Sequence, residues 1–148
     1  MNNLMKNKRG LVMGVANDKS IGWGIAKAIS DQGGELAFTY QGEALKKRVI
    51  PLANSVNSEI VLPCDVSNDE DIDNTFNELK KKWPKIDFLV HAIAFSDKDE
   101  LKGEYIDTSR ENFINTMDIS VYSFTAIARR ASAMMPDGGS LLTLSYYG

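Results

Sequence analysis

Gly14-Val15-Ala16-Asn17-Asp18-Lys19-Ser20-Ile21-Gly22-Trp23-Gly24 is the stretch that decides the fold. Just before it stands the short apolar run Leu11-Val12-Met13, and from Ile21 to Asp31 the pattern is helical. A buried strand that turns on glycine into a helix is the opening unit of a parallel α/β sheet. Gly14, at the strand end, lets the backbone turn sharply and come close to a phosphate. Ser20 stands where a helix N-cap belongs, and the free N–H groups and dipole of the helix favour a pyrophosphate. Gly24, in the first turn, permits close approach of the sheet or of a ligand. Three glycines alone fit a capped helix with no ligand equally well.

Working outward, Gly33-Gly34 stops the first helix. Leu36 to Tyr40 reads as a second strand and Glu43 to about Ala53 as a helix weakened at its end by Pro51. Ile60-Val61-Leu62 opens a third strand carrying Pro63, which lacks a ladder donor and so places this strand at a sheet edge. Ser67-Asn68-Asp69-Glu70 has the form of a capping box, with Ser67 as the cap. Ile72, Phe76, Leu79 and Trp83 then fall on one helical face, and Pro84 closes the segment. A fourth strand lies within Ile86 to Ile93, and Thr108 to Glu111 offers a second capping box. A long helical stretch is expected from about Ile119 to Met135, then a turn at Pro136-Asp137-Gly138-Gly139 and a fifth strand at Leu141 to Leu144.

Strands and helices that alternate in this way imply right-handed crossovers. The expected fold is a Rossmann-like, doubly wound parallel sheet of strand order 3-2-1-4-5. With no repeat, low-complexity tract or linker, residues 1–148 read as a single dinucleotide-binding domain. The apolar edge of the fifth strand has nothing after it to cover it. The chain is therefore expected to be truncated there, with the C-terminal part of the fold missing.

Composition narrows the function. The formal charge of −3 includes no long run of one sign, which argues against nucleic acid or a membrane surface as partner. Leu11 to Ala16 is too short for a signal-peptide core, and no segment approaches the length of a membrane span. Cys64 is the single cysteine, so no internal disulfide forms and a reducing, cytoplasmic setting is expected. Cys64 itself reads as a small buried apolar residue. One histidine and one cysteine do not make a metal site of the usual type.

Lys19-Ser20 nearly imitates a nucleoside-triphosphate loop. Asp18 and Met13 stand where that motif needs glycine, and a carboxylate there would oppose the phosphates. Gln41 follows the second strand, where an acidic residue usually binds the adenosine ribose. Its amide suits the adenosine end, although a solvated turn residue is the plainer reading. Glu43 would repel a 2′-phosphate, and Lys46, Lys47 and Arg48 read as a solvated helix face, so NADH is favoured over NADPH. Asp65-Val66 ends the third strand, within reach of an adenine; alternatively Asp65 only makes the turn before the next helix. His91-Ala92-Ile93-Ala94-Phe95-Ser96 and Ser145-Tyr146-Tyr147-Gly148 lie at the carboxyl edge of the sheet, where open α/β folds bind ligands. His91 itself, within an apolar strand, reads as a satisfied core residue.

Gly14-Val15-Ala16 with Ser20-Ile21 and Gly24-Ile25-Ala26 resembles the nucleotide loop of bacterial NADH-dependent enoyl-acyl-carrier-protein reductases, members of the short-chain dehydrogenase/reductase superfamily. Phe38-Thr39-Tyr40-Gln41, Cys64-Asp65-Val66, Asp118-Ile119-Ser120 and Leu141-Leu142-Thr143-Leu144-Ser145-Tyr146 look like further blocks of that family, in its order and at its approximate spacing. The resemblance implies NADH-dependent reduction of the trans-2 double bond of enoyl thioesters on acyl carrier protein, the last step of fatty-acid elongation. It matches Gly14, Ser20, Ile21, Gln41, Asp65, Val66 and Ile93 to cofactor-contacting positions. It places Ser96 near the substrate thioester and makes Tyr146 the first of two active-site tyrosines. The second tyrosine and the lysine after it fall beyond Gly148 in the family pattern and are assigned to no residue here.

Ala94 departs from the pattern, because many family members have glycine there; its methyl is expected to narrow the pocket at the cofactor edge. The resemblance also implies a homotetramer. Tyr122, Phe124, Ile127, Ala128 and Ala131 are candidates for its interface, or simply for the core. Two other readings remain. One is a carbonyl-reducing short-chain dehydrogenase, whose Thr-Gly-x-x-x-Gly-x-Gly loop and Asn-Asn-Ala-Gly strand end this chain lacks. The other is a non-catalytic dinucleotide-binding fragment, with Tyr146 a packing tyrosine.

Overall fold

Leu11, Val12 and Met13 are fully buried, because both faces of their strand are covered. The computed structural model describes residues 3–147, so Gly148 and the first two residues lie outside it. Strand β1 (Arg9–Met13) is central and pairs in parallel with β2 (Glu35–Tyr40) and β4 (Phe88–His91). β3 (Ile60–Pro63) adds outside β2, and β5 (Ser140–Thr143) outside β4. The order β3-β2-β1-β4-β5 is the one expected, with Pro63 on an outer strand.

The two-residue period of the strands sorts the core into two layers. Val12, Phe38 and Val90 face helices α1 (Ile21–Asp31) and α2 (Gly42–Ser55). Leu11, Met13, Ala37 and Leu89 face α3 (Asp69–Lys82) and α5 (Ser123–Ser132). Ile72, Phe76, Leu79 and Trp83 are buried together, as their spacing predicts. Each large side chain so buried contributes about 1.5–3 kcal/mol. The layers leave the carboxyl ends of the strands uncovered, and those ends carry the site.

Several local expectations are corrected. α2 runs through Pro51 to Ser55, because burying Val49 and Ala53 against the sheet outweighs the hydrogen bond lost at an exposed proline. The cap of α3 is Asn68, not Ser67: the Asn68 Oδ1 accepts from the N–H groups of Glu70 and Asp71. Ser67 turns back to Asp65 instead. The second cap is Ser109, not Thr108; its hydroxyl accepts from the Asn112 N–H.

Ser109 opens α4 (Arg110–Met117), well before the helix start expected at Ile119. Asp118–Tyr122 forms one wider π turn between α4 and α5, with the Ser123 N–H donating to the Asp118 carbonyl. Such turns insert a residue and re-aim the side chains that follow. No helix among the described residues is long and apolar enough to cross a membrane.

Candidate active site

A cleft of about 430 Å³ lies across the ends of β1 to β4. Its first wall is made by backbone. Gly14 has φ +99°, and a Cβ there would collide with the Ala92 carbonyl oxygen. Only glycine satisfies both demands. Gly22, which the sequence did not single out, is the glycine that packs closely: a Cβ on it would stand 3.2 Å from the Ala92 Cβ. Gly24 faces open space instead.

Ser20 holds the N-cap position of α1, but its hydroxyl caps no helix N–H. The Ser20 Oγ accepts from the N–H groups of Ala16 and Asn17, each at 3.0 Å, and so folds the glycine loop back on itself. The capping role expected of Ser20 is therefore corrected to loop closure, which leaves the first N–H groups of α1 without a side-chain partner. Ile21 is 69% exposed, and neither Ser20 nor Ile21 lines the cleft. Gly14, Gln41, Asp65, Val66 and Ile93 all do.

Asp65 uses one carboxylate oxygen locally. Its Oδ1 accepts from the Ser67 N–H at 2.9 Å and the Ser67 hydroxyl at 2.6 Å. These bonds hold the carboxyl below the usual aspartate range, so it stays ionised. The Gln41 side chain beside Asp65 also favours the ionised form. Cys64, beside it, is buried, and burial pushes its thiol pKa up.

A second cavity of about 780 Å³ opens beyond Phe95. Phe95, Leu101, Tyr105, Met117 and Tyr146 give it an apolar lining. Ser96 lines it too, and the Ser96 Oγ lies 3.1 Å from both the Asn112 Nδ2 and the Thr116 Oγ1. Asn112 and Thr116 escaped the sequence reading, and Ser120 entered it only within the Asp118-Ile119-Ser120 block of the resemblance. Their spacing of four puts them on one helical face, a signal visible only once α4 begins at Arg110. Tyr146 stands on the rim, 96% exposed.

Ala94 and Phe95 line both cavities, so the two meet at the end of β4. Behind that junction His91 is 1% exposed and bonded on both sides, as a satisfied core histidine should be. Its Nδ1 lies 3.0 Å from the Thr143 Oγ1 and its Nε2 2.7 Å from the Ser123 Oγ. Burial lowers its pKa from the ordinary value, so the ring is neutral at pH 7. Among the described residues no group of three or more histidine, cysteine or acidic side chains is placed to hold a metal ion.

The family model of enoyl-(acyl carrier protein) reductase matches residues 14–148, which includes the glycine loop, Asp65, the β4 end and Tyr146. The chain belongs to the enoyl-acyl-carrier-protein reductase family. It is 63% identical to enoyl-[acyl-carrier-protein] reductase [NADH] 1 of Rhizobium meliloti over 145 residues, 98% of this chain and 53% of that protein. FabI from Candidatus Liberibacter asiaticus superimposes on all of this chain with a TM-score of 0.99 at 54% identity, over 57% of its own length. The enoyl-(acyl-carrier-protein) reductase of Anaplasma phagocytophilum, solved in complex with NAD, gives a TM-score of 0.94 at 58% identity; the match covers 97% of this chain and 55% of that one. The chain thus spans about half the length of the curated relatives it matches. In this enoyl-reductase-family chain the Ala94 methyl stands in the wall common to both cavities, where many relatives were expected to have glycine.

Proposed function

We propose that the whole protein is an NADH-dependent enoyl-acyl-carrier-protein reductase, and that this chain carries its dinucleotide cleft and one wall of its substrate pocket. One observation carries the reading: a backbone-walled cleft at the strand ends and an apolar cavity share the Ala94–Phe95 wall. A hydride donor in the first would face an acyl chain in the second.

The donor set suits a dinucleotide. Gly14 leaves room for a pyrophosphate beside the backbone, and the Ser20 hydroxyl takes none of the N–H groups at the start of α1, the carbonyl of Ser20 accepting only from Trp23 and Gly24. Asp65 and Gln41 would hold the adenosine end, Val66 would pack on the adenine and Ile93 on the nicotinamide side. Ser20 would act by shaping the loop, and Ile21 through its main-chain N–H. Glu43 opposes a 2′-phosphate, and Lys46, which α2 would otherwise offer to that phosphate, is paired to Glu43 at 3.3 Å. That supports NADH over NADPH. The chemistry supplied by the bound dinucleotide is hydride donation to the β-carbon of a trans-2-enoyl thioester. Negative charge then develops on the thioester oxygen; the family's second tyrosine, which falls beyond Gly148, would be the main hydrogen-bond donor to it, and Tyr146 on the cavity rim would shape the pocket or assist. Ser96 would orient the thioester, and Leu101, Tyr105 and Met117 would take the acyl chain.

We extend the proposal to a cytoplasmic homotetramer acting on acyl carrier protein thioesters. Of the interface candidates, exposed Tyr122 supports assembly, whereas Ile127 and Ala131 are fully buried in the core and Phe124 packs against it. The single buried cysteine supports a reducing compartment. The decisive experiment gives full-length protein NADH and a crotonyl thioester and follows NADH absorbance. Oxidation of NADH is expected. Turnover with ketones but not with enoyl thioesters would move the chain to the carbonyl-reducing branch.

A further inference from the structure

His91 is bonded on both sides, and its partners fix where its proton sits. The Ser123 Oγ lies 2.6 Å from the Ile119 carbonyl oxygen, an acceptor only, so the single Ser123 proton goes there. The short contact between Ser123 Oγ and His91 Nε2 then requires the proton to be on Nε2, with His91 donating. The neutral ring leaves Nδ1 as the acceptor, and the Thr143 hydroxyl donates to it. This tautomer is assigned from the hydrogen-bond pattern. One directed chain results: Thr143 to His91 to Ser123 to the carbonyl of Ile119.

Each member of this chain stands where an element turns into the site. His91 and Thr143 are the last register pair of β4 and β5. Beyond His91 run Ala92 to Phe95, which line the first cleft, and three residues beyond Thr143 stands Tyr146 on the cavity rim. Ile119 lines the first cleft, and Ser120, its neighbour in the π turn, lines the second. Ser120 also ties back to the β4 extension, accepting from the Phe95 N–H at 3.0 Å. The ladder of backbone hydrogen bonds between β4 and β5 ends at His91 and Thr143. Beyond that pair the Ala92 N–H still donates to the Met13 carbonyl on β1, and among the described residues no backbone hydrogen bond joins the β4 extension to the Tyr146 segment.

We infer that His91 is a positioning residue that, through Thr143 and Ser123, fixes the β4 extension, the Tyr146 segment and the π turn relative to one another, and so aligns the two cavities. This rests on the function proposed above. Misalignment of reacting groups costs rate far more than binding.

The test uses full-length enzyme with two substitutions of opposite kind. Thr143→Val keeps the shape and loses the hydroxyl; Thr143→Ser keeps the hydroxyl and loses a methyl. Positioning through the hydroxyl predicts that kcat falls on the order of tenfold in Thr143→Val. The dissociation constant for NADH, read by fluorescence titration, changes less than about twofold, and Thr143→Ser keeps kcat within about twofold of the parent. The reverse ranking, Val active and Ser impaired, makes Thr143 a packing residue and overturns the inference. A nitrogen-15 imidazole spectrum gives a readout independent of turnover. The resonance pair that His91→Gln removes should show Nε2 protonated and Nδ1 bare, and a proton on Nδ1 overturns the inference. A parent enzyme that turns over beside an unimpaired Thr143→Val refutes positioning alone. A parent that never oxidises NADH with an enoyl thioester refutes the proposed function and positioning with it.

Discussion

The two cavities that meet at Ala94 and Phe95 are built by different means. The cleft at the strand ends is walled by backbone: Gly14 against the Ala92 carbonyl, a loop folded by Ser20, and strand β4 buried from end to end. The neighbouring cavity is walled by side chains on loops and helix faces, many of them open to solvent. Leu101 is 71% exposed, Tyr105 78% and Tyr146 96%. β5, which leads to Tyr146, is exposed along its whole length in this chain, which spans about half the length of its relatives, whereas β4 beside it is buried. A backbone wall tolerates no added atom, whereas a side-chain wall tolerates many and owes its shape to a few hydrogen bonds.

The largest test of this contrast is Gly14→Val. Left-handed strain and overlap with the Ala92 carbonyl together are expected to cost about 3 kcal/mol or more in urea unfolding, and NADH retention should be lost. A cost below about 1 kcal/mol would mean that the backbone wall is soft, and the contrast would fail.

Ser123→Ala comes next. It leaves the His91 Nε2–H buried without a partner, at an expected cost of about 1–3 kcal/mol by the same measurement. An unchanged midpoint would show that the junction behind the two cavities is not rigid.

The pH dependence sharpens the same point. Burial lowers the folded-state pKa of His91 below its ordinary value of 6.5. The unfolded chain therefore takes up the proton first as pH falls, and the fold loses stability below pH 6.5. The slope from this one group cannot exceed about 1.4 kcal/mol per pH unit. His91→Gln should flatten that part of the profile, and an unaltered slope would assign it to other groups.

At the small end, Tyr146→Phe removes an exposed hydroxyl and is expected to move stability by less than about 0.5 kcal/mol. Its effect belongs to turnover of the full-length enzyme, where kcat is the quantity to compare. A large stability change would mean that the rim is built like the cleft.

The backbone-walled cleft was legible in the sequence and the side-chain-walled cavity only in part. Gly14, Gln41 and Asp65 sit at strand ends, and strand ends follow from short apolar runs bounded by turns. Ser20 was legible by position but not by role. A serine before a helix looks the same whether its hydroxyl bonds the helix or the loop, and the loop took it. Asn112 and Thr116 were hidden because α4 has a weak apolar stripe, so its start was placed too late.

The sequence by itself determined the order of elements, the edge place of β3 and the glycine turn, because period, proline and glycine act within a few residues of chain. Only the tertiary structure decided that a π turn interrupts the last helix and that His91 joins Thr143 to Ser123. The His91 junction depends on partners 32 and 52 residues away in the chain, and no local pattern carries information about groups that meet only after the sheet has closed.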